Sequence, residues 1–67
     1  MPRFDDLLLA ERTAAARAAC QFLLKNDYVS LDEACQTLNL TLQELWDKIM
    51  QEAGLPLCEV PAFALVT

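Results

Sequence analysis

Apolar residues recur at the spacing of a helix through the first third of the chain. The stripe comprises Leu8, Ala15, Ala19, Phe22 and Leu23. Charged and amide side chains fall mainly on the other faces of such a helix. Asp5 or Asp6 can cap its first turn, and Asn26-Asp27 ends it because Asn tolerates the left-handed conformation that follows many helices. The pattern predicts a helix over about residues 5–25 whose stripe faces the core.

Two helix-start motifs follow, eleven residues apart. Ser30-Leu31-Asp32-Glu33 and Thr41-Leu42-Gln43-Glu44 both have the capping-box pattern, in which the hydroxyl and the carboxylate each accept a bond from the other residue's amide. Gly54 provides a residue that ends a helix in the left-handed conformation. We therefore predict two short helices within about residues 30–53.

The link between these two helices has the residues of a helix-turn-helix. Cys35 is small where the helices would cross, and Asn39 stands four residues later, where the turn requires a left-handed residue. The shared core is predicted to contain Leu31, Ala34, Leu38, Leu40, Leu45 and Ile49. An ordinary helical hairpin is the alternative interpretation.

Residues 54–67 form a strongly apolar C-terminal tail. Pro56 and Pro61 favour an extended rather than a helical backbone. Because free apolar side chains promote aggregation, we expect the tail either to pack back on the first helix or to reach onto a partner. Residues 1–67 thus predict one all-α, three-helix domain with a helix-turn-helix unit and an extended tail.

The composition indicates more apolar surface than a short chain can bury. Of 67 residues, 55% are hydrophobic, which favours a protein partner or a homodimer. Trp46 fits the core and an interface anchor equally well. The candidate partner-binding residues are Trp46, Leu57, Val60, Phe63 and Leu65.

The net charge of −5 is unevenly distributed. Residues 1–25 hold four cations and three carboxylates, for +1, whereas residues 26–67 hold one lysine and seven carboxylates, for −6. The candidate DNA-facing residues are Gln43, Asp47, Lys48 and Gln51 on the third helix and Arg12 and Arg17 on the first. One lysine among several acids is a poor surface for phosphates, so DNA binding is only the second hypothesis.

The sequence lacks the residue patterns of a metal site, a disulfide framework and a catalytic site. The chain has no His, and Cys20, Cys35 and Cys58 are widely spaced, so we expect no metal site and no disulfide framework. Cys20 and Cys35 are predicted to be buried thiols and Cys58 to be more accessible. We expect no catalytic site, cofactor or small-molecule substrate.

Nothing in the sequence suggests a membrane or an export signal. No run of about 18 apolar residues occurs, and Asp5 and Asp6 stand where a signal peptide has a basic start. We therefore expect a cytoplasmic protein.

Residues 20–61 resemble short prokaryotic antitoxin-like helix-turn-helix proteins, which are often encoded beside PIN-domain toxins. The stretch Tyr28-Val29-Ser30-Leu31-Asp32-Glu33-Ala34-Cys35 is similar to the family's glycine-isoleucine-serine-leucine-x-x-alanine-alanine motif. The stretch that ends Ala53-Gly54-Leu55-Pro56 is similar to its arginine-glycine-isoleucine-proline helix end. The resemblance implies a helix-turn-helix fold and a regulatory role.

Our leading hypothesis is a non-enzymatic regulatory module that binds a protein through an acidic helix-turn-helix face and the apolar tail, with residues from Leu57 to Phe63 entering a basic toxin cleft. The second hypothesis is a dimeric, sequence-specific DNA-binding transcriptional repressor. The third is a structural subunit whose apolar surface completes a larger assembly.

Overall fold

The computed structural model describes residues 1–65, and these contain three α-helices. Helix α1 spans Leu9–Asn26, α2 spans Leu31–Leu38 and α3 spans Leu42–Ala53. Short 3-10 turns form at Phe4–Asp6 and at Ala62–Leu65. Helix α3 packs against both α1 and α2. The predicted all-α, three-helix fold is confirmed, while Val66 and Thr67, the end of the predicted tail, lie outside the described residues.

All three helices end in the same way. Asp27, Asn39 and Gly54 have φ values of 59°, 57° and 69°, in the left-handed region. The residue after each one donates its amide to a carbonyl five positions earlier, which satisfies a free carbonyl of the last turn. These bonds join Tyr28 to Leu23, Leu40 to Cys35 and Leu55 to Met50, at 2.9, 3.0 and 2.9 Å. Because Tyr28, Leu40 and Leu55 pack against the core, each helix end also fixes a core side chain. The predicted corner at Asn39 is confirmed.

The two predicted capping boxes differ. At α3, Thr41 Oγ1 accepts from the Glu44 amide at 3.1 Å and Glu44 Oε1 accepts from the Thr41 amide at 2.9 Å. At α2, Ser30 Oγ accepts from the Glu33 amide at 3.1 Å, but the Glu33 carboxylate accepts from the Val29 amide instead of that of Ser30. The capping box at α2 is thus displaced by one residue, and it holds the α1–α2 loop to α2.

Helix α1 begins later than predicted. Asp6 accepts a weak bond from the Arg3 amide within the first 3-10 turn, and Glu11 accepts from the Leu8 amide at 3.0 Å and caps α1. The chain turns at Phe4–Asp6 because Phe4 packs against the core. Leu8 therefore precedes the helix and is 70% exposed, so its predicted core position is wrong.

The core lies where α3 meets the other two helices and the tail. Its fully buried large side chains are Leu45, Trp46, Met50 and Cys58. Ala15 and Ala19 on α1 and Ala34 on α2 are buried against them, which lets the helices approach closely. Leu38, predicted in the core, is 39% exposed because the chain reverses at Asn39 and Leu40 packs against the core at this end instead.

The tail packs on its own chain. The Glu59 amide donates to the Pro2 carbonyl at 2.8 Å, which joins the tail to the N-terminal residues. The predicted extended backbone ends at Pro61, because the Pro61 carbonyl accepts from the Ala64 amide and begins the second 3-10 turn. That turn buries Ala64 in the core, so the tail packs on its own chain, but the hydrogen bonds that its described residues make to the rest of the chain are to Pro2 and to residues of α3 such as Gln43, and not to the predicted α1.

Candidate functional site

The face of α3 predicted to read DNA is partly occupied by the tail. Gln43 Nε2 donates to the Cys58 carbonyl at 3.0 Å and to Asp47 Oδ1 at 2.9 Å. Gln43 Oε1 accepts from the Val60 amide at 3.1 Å. The side chain thus uses both ends of its amide on the tail backbone and is half-buried. Of the candidate DNA-facing residues on α3, Lys48 and Gln51 remain exposed, and Gln43 is a tail contact.

Trp46 lies beneath the tail. It has no exposed surface, and its indole Nε1 donates to Cys58 Sγ at 3.4 Å. Its ring meets the edges of Phe4 and Phe63, each with ring centroids 6.2 Å away. Trp46 is therefore a core residue and is not available as an interface anchor. We call the group formed by Gln43, Trp46, Cys58 and Val60 the tail clamp.

The tail residues predicted to bind a partner differ in exposure. Val60 is half-buried in the tail clamp, and Leu57 is 37% exposed. Phe63 and Leu65, in the second 3-10 turn, are 52% and 63% exposed. The exposed apolar surface of the described tail is therefore largest around Phe63 and Leu65.

The predicted basic residues do not form one surface. Arg17 is exposed, whereas Arg12 is half-buried and its Nε has no hydrogen-bond partner within residues 1–65. Lys48 instead lies with Lys25 along a groove between α1 and α3 that Glu52 also lines. The sequence does not reveal this pairing of lysines, because α1 and α3 are distant along the chain.

An apolar groove lies on the opposite side of α1. We use this name for the cavity of about 240 Å³ between α1, the start of α2 and the second 3-10 turn. Its lining residues are Ala16, Ala19, Cys20, Leu23, Ser30, Leu31, Phe63 and Ala64. No charged side chain of the described chain lines it. Phe63 and Ala64 form the wall supplied by the tail.

Two cysteine predictions are reversed by the path of the tail. Cys20 is exposed in the apolar groove, and Cys58 is fully buried against Trp46. The predicted burial was the opposite for both thiols. The missed signal is the spacing of Ala16, Cys20 and Leu23, which places a second apolar stripe on α1 beside the core stripe. Leu23, predicted on the core stripe, lines the groove instead.

Cys35 lies in a separate groove on the other side of the second 3-10 turn. This cavity of about 390 Å³ is lined also by Asp32, Gln36, Asn39, Leu40, Leu42, Ala64 and Leu65. Partial burial, together with the Asp32 carboxylate, raises the pKa of the Cys35 thiol above its ordinary value. Cys35 is half-buried, which is less than predicted, and the raised pKa lowers the fraction of its thiol that is in the reactive thiolate form at neutral pH.

Neither a metal site nor a membrane-spanning helix is found within residues 1–65. No three His, Cys, Asp or Glu side chains there lie close enough to hold a metal ion. None of the helices in this part of the chain is both long and apolar enough to cross a bilayer.

Comparison of the chain with protein-family models, with curated proteins and with solved structures gives no match. The resemblance to antitoxin-like helix-turn-helix proteins therefore stays a prediction.

Proposed function

We propose that this chain is a non-enzymatic, regulatory protein-interaction module of the antitoxin-like kind, which holds an apolar segment of a partner protein in the apolar groove. The observation that carries the proposal is the groove itself, which is uncharged and open and has a half-exposed Phe63 on its wall. Filling it would remove apolar surface from water, which stabilises a complex by about 25 cal/mol for each Å² buried.

The composition of the groove walls supports a protein partner. Ala16, Ala19 and Cys20 are small, so another backbone can approach α1 closely. Phe63 supplies a large, rigid apolar ring, a residue type enriched in protein–protein interfaces. A groove with small residues on one wall and an aromatic ring on the other suits an apolar side chain presented by a partner.

The tail clamp changes how the tail contributes to this function. Leu57 to Phe63 were expected to enter a toxin cleft, but Val60 and Cys58 are held by Gln43. In the revised proposal the tail provides one wall of the binding site, through Phe63, instead of entering the partner.

A protein partner is favoured over duplex DNA. Gln43 is already bonded to the tail, and the exposed Lys48 stands on the same helix as Asp47, Glu44 and Glu52. Phosphate contacts supply much of the affinity of DNA-binding proteins, and this helix has few cations to make them. We expect no shift of duplex DNA in a low-salt gel assay, and a shift that weakens steeply with added salt would favour the repressor hypothesis.

Cys20 provides a direct test because its thiol is exposed in the groove. In a Cys35→Ala background, a benzophenone maleimide attached to Cys20 would be returned to the native cell extract and illuminated. The matched control is Cys20→Ala with Gln21→Cys, which moves the probe to the groove between α1 and α3.

We expect one defined protein adduct from position 20 that disappears when Phe63→Glu is added, and no such adduct from position 21. Equal labelling from both positions, or an adduct that survives Phe63→Glu, would contradict the proposal. Circular dichroism of each variant would verify that the helices are intact.

A further inference from the structure

Resting on the proposed function of the apolar groove, we infer that Phe4 is a positioning residue for that groove. Phe4 does not line the groove, but it holds Phe63 in place as the groove wall. Two observations carry the inference. The Phe4 and Phe63 rings are in contact, and within residues 1–65 no hydrogen bond joins the second 3-10 turn, which bears Phe63, to a helix.

The tail clamp ends before the second 3-10 turn. The last tail atoms that Gln43 holds are those of the Val60 amide, at 3.1 Å. Beyond Val60, the Ala64 amide donates to the Pro61 carbonyl at 3.0 Å. This bond fixes the shape of the turn but not its position on the helices. Apolar contacts must therefore place the turn, and its position depends on Pro61, Ala64 and Phe63.

Two other aromatic rings contact the Phe63 ring. Its centroid lies 5.5 Å from that of Phe4 and 6.2 Å from that of Trp46, and both contacts are edge-on, at interplanar angles of 76° and 77°. Phe4 and Trp46 also meet edge-on, at 6.2 Å, so each of the three rings contacts the other two. Such contacts are favourable because the positive edge of one ring meets the negative face of another. The position of the Phe63 ring therefore depends on both of its partners.

The two partners of Phe63 differ in what else depends on them. Trp46 is fully buried in α3 and contributes to the whole core. Phe4 is half-buried and belongs to the first 3-10 turn, which precedes the helices. Loss of the Trp46 ring would destabilise all three helices, whereas loss of the Phe4 ring would act mainly on the tail. Phe4 is therefore the contact through which the groove wall can be loosened while the helices stay folded.

The backbone of the first 3-10 turn is also joined to the tail. The Glu59 amide donates to the Pro2 carbonyl at 2.8 Å, two residues before Phe4. The Leu7 amide donates to the Phe4 carbonyl at 3.1 Å and closes the turn. The backbone bond and the pair of rings thus connect the same two segments of the chain. We expect these segments to open together.

Phe63 stands between two cavities. One is the apolar groove, and the other is a cavity of about 190 Å³ lined by residues 3–5 and 59–63. Phe4 lines only the second of them. A displacement of Phe4 therefore acts on the groove from behind its wall. Because coupling is reciprocal, an occupant that packs against Phe63 in the groove should also stabilise the first 3-10 turn.

Three variants of the full chain test the role of Phe4. Phe4→Ala removes the ring, whereas Phe4→Tyr keeps it and adds a hydroxyl that can reach water from a half-buried position. The matched control is Tyr28→Ala. It removes another half-buried ring that packs against the core, from a stacked pair with Phe22 at 5.9 Å that includes no residue of the tail. Urea unfolding gives the global stability of each variant.

Hydrogen exchange of single amides separates local opening from global unfolding. The Ala64 amide reports on the second 3-10 turn, and the Ile49 amide reports on α3. We expect Phe4→Ala to raise the Ala64 exchange rate at least about tenfold more than the Ile49 rate, because the turn opens locally. Phe4→Tyr should leave the ratio of the two rates within about twofold of its natural value. Tyr28→Ala should change both rates by the same factor.

The crosslinking experiment connects this opening to the function of the groove. With the benzophenone probe on Cys20, Phe4→Ala should lower the yield of the adduct at least about fivefold, because the groove loses its wall. Phe4→Tyr should restore the yield. Tyr28→Ala should lower it by no more than the decrease in the folded fraction that urea unfolding gives.

The outcomes separate the inference from the function on which it rests. If Phe4→Ala raises the Ala64 and Ile49 exchange rates by the same factor, Phe4 is an ordinary core residue and the inference is wrong. The inference is also wrong if the adduct persists in Phe4→Ala but disappears in Phe63→Glu, although the proposed function then stands. If the natural chain gives no adduct, the proposed function fails, and a selective rise of the Ala64 rate still supports the placement of Phe63 by Phe4.

Discussion

The tail clamp and the apolar groove are two uses of the same C-terminal segment. On the side of α3, Gln43 and Trp46 hold the tail so completely that Cys58 has no exposed surface. On the side of α1, the groove stays open and Cys20 is exposed. Phe63 connects the two, since its ring contacts Trp46 of the clamp with centroids 6.2 Å apart and also lines the groove. Because the tail supplies one wall of the groove, the groove exists only when the tail clamp holds the tail in place.

The largest expected effect is a difference in the free energy of unfolding between a variant in the tail clamp and a variant in the apolar groove. Trp46→Ala removes a fully buried indole and leaves a cavity, so we expect a loss of about 3–5 kcal/mol in the free energy of unfolding. For so small a domain this is most of the stability. Cys20→Ser, at an exposed position of the apolar groove on α1, should change it by less than about 0.5 kcal/mol. Urea unfolding measures both, and similar losses in the two variants would remove the distinction between the sides.

The second prediction tests the clamp itself. Gln43→Ala leaves the Val60 amide and the Cys58 carbonyl without their partner, so we expect a loss of about 1–3 kcal/mol in the free energy of unfolding. The tail should also open more often, which would be visible as faster hydrogen exchange of the Val60 amide. Gln51→Ala, at an exposed site on the same helix, is the control and should be nearly neutral. An unchanged Val60 exchange rate would show that Gln43 does not hold the tail.

A smaller effect is expected at the corner on which the helix-turn-helix depends. Asn39 has a φ of 57°, a conformation that costs an ordinary L-residue roughly 1 kcal/mol or more. Asn39→Ala should therefore destabilise the chain by about 1 kcal/mol. Asn39→Gly, which carries no such strain, should be close to neutral. Thermal unfolding of the pair checks the sign, and an equally stable Ala variant would contradict the left-handed turn.

The smallest effect is a pH dependence at the start of α3. The bonds from Thr41 to Glu44, first the backbone amide and then the side chain, hold the pKa of the Glu44 carboxyl below its ordinary value. A lowered pKa in the folded state means that the unfolded chain binds the proton more readily, so stability rises with pH. The Glu44 contribution should be complete above the ordinary pKa and lost as the pH falls through the lowered one. The difference in stability between the natural chain and Glu44→Gln should shrink over that range, and a difference independent of pH would exclude this contribution.

The features predicted correctly from the sequence are local ones. Thr41 and Glu44 lie three residues apart, and the left-handed residues Asn39 and Gly54 act on the turns beside them. Each needs only a neighbouring amide or carbonyl, so the short helices and the corner between them follow from residue types alone.

The errors share a different origin. The burial of Cys58, the exposure of Cys20 and the buried position of Trp46 all depend on where the tail crosses α3, which no spacing along the chain specifies. Leu8 differs from its predicted core position for a similar reason, because Phe4 packs against a distant part of the core and α1 begins only at Leu9. The groove could be suspected only from the second stripe on α1, and its Phe63 wall comes from the far end of the chain.

The rates at which the natural cysteines react with iodoacetamide test the comparison most directly. Under native conditions at constant pH, mass spectrometry would follow alkylation of each thiol in the unmodified chain. We expect Cys20 to react fastest, Cys35 more slowly because its pKa is raised, and Cys58 at least about a hundredfold more slowly than Cys20, because it must wait for the tail to open. In denaturant the three rates should converge. A native Cys58 that reacts as fast as Cys20 would contradict the closed tail clamp, and a native Cys20 as slow as Cys58 would contradict the open groove.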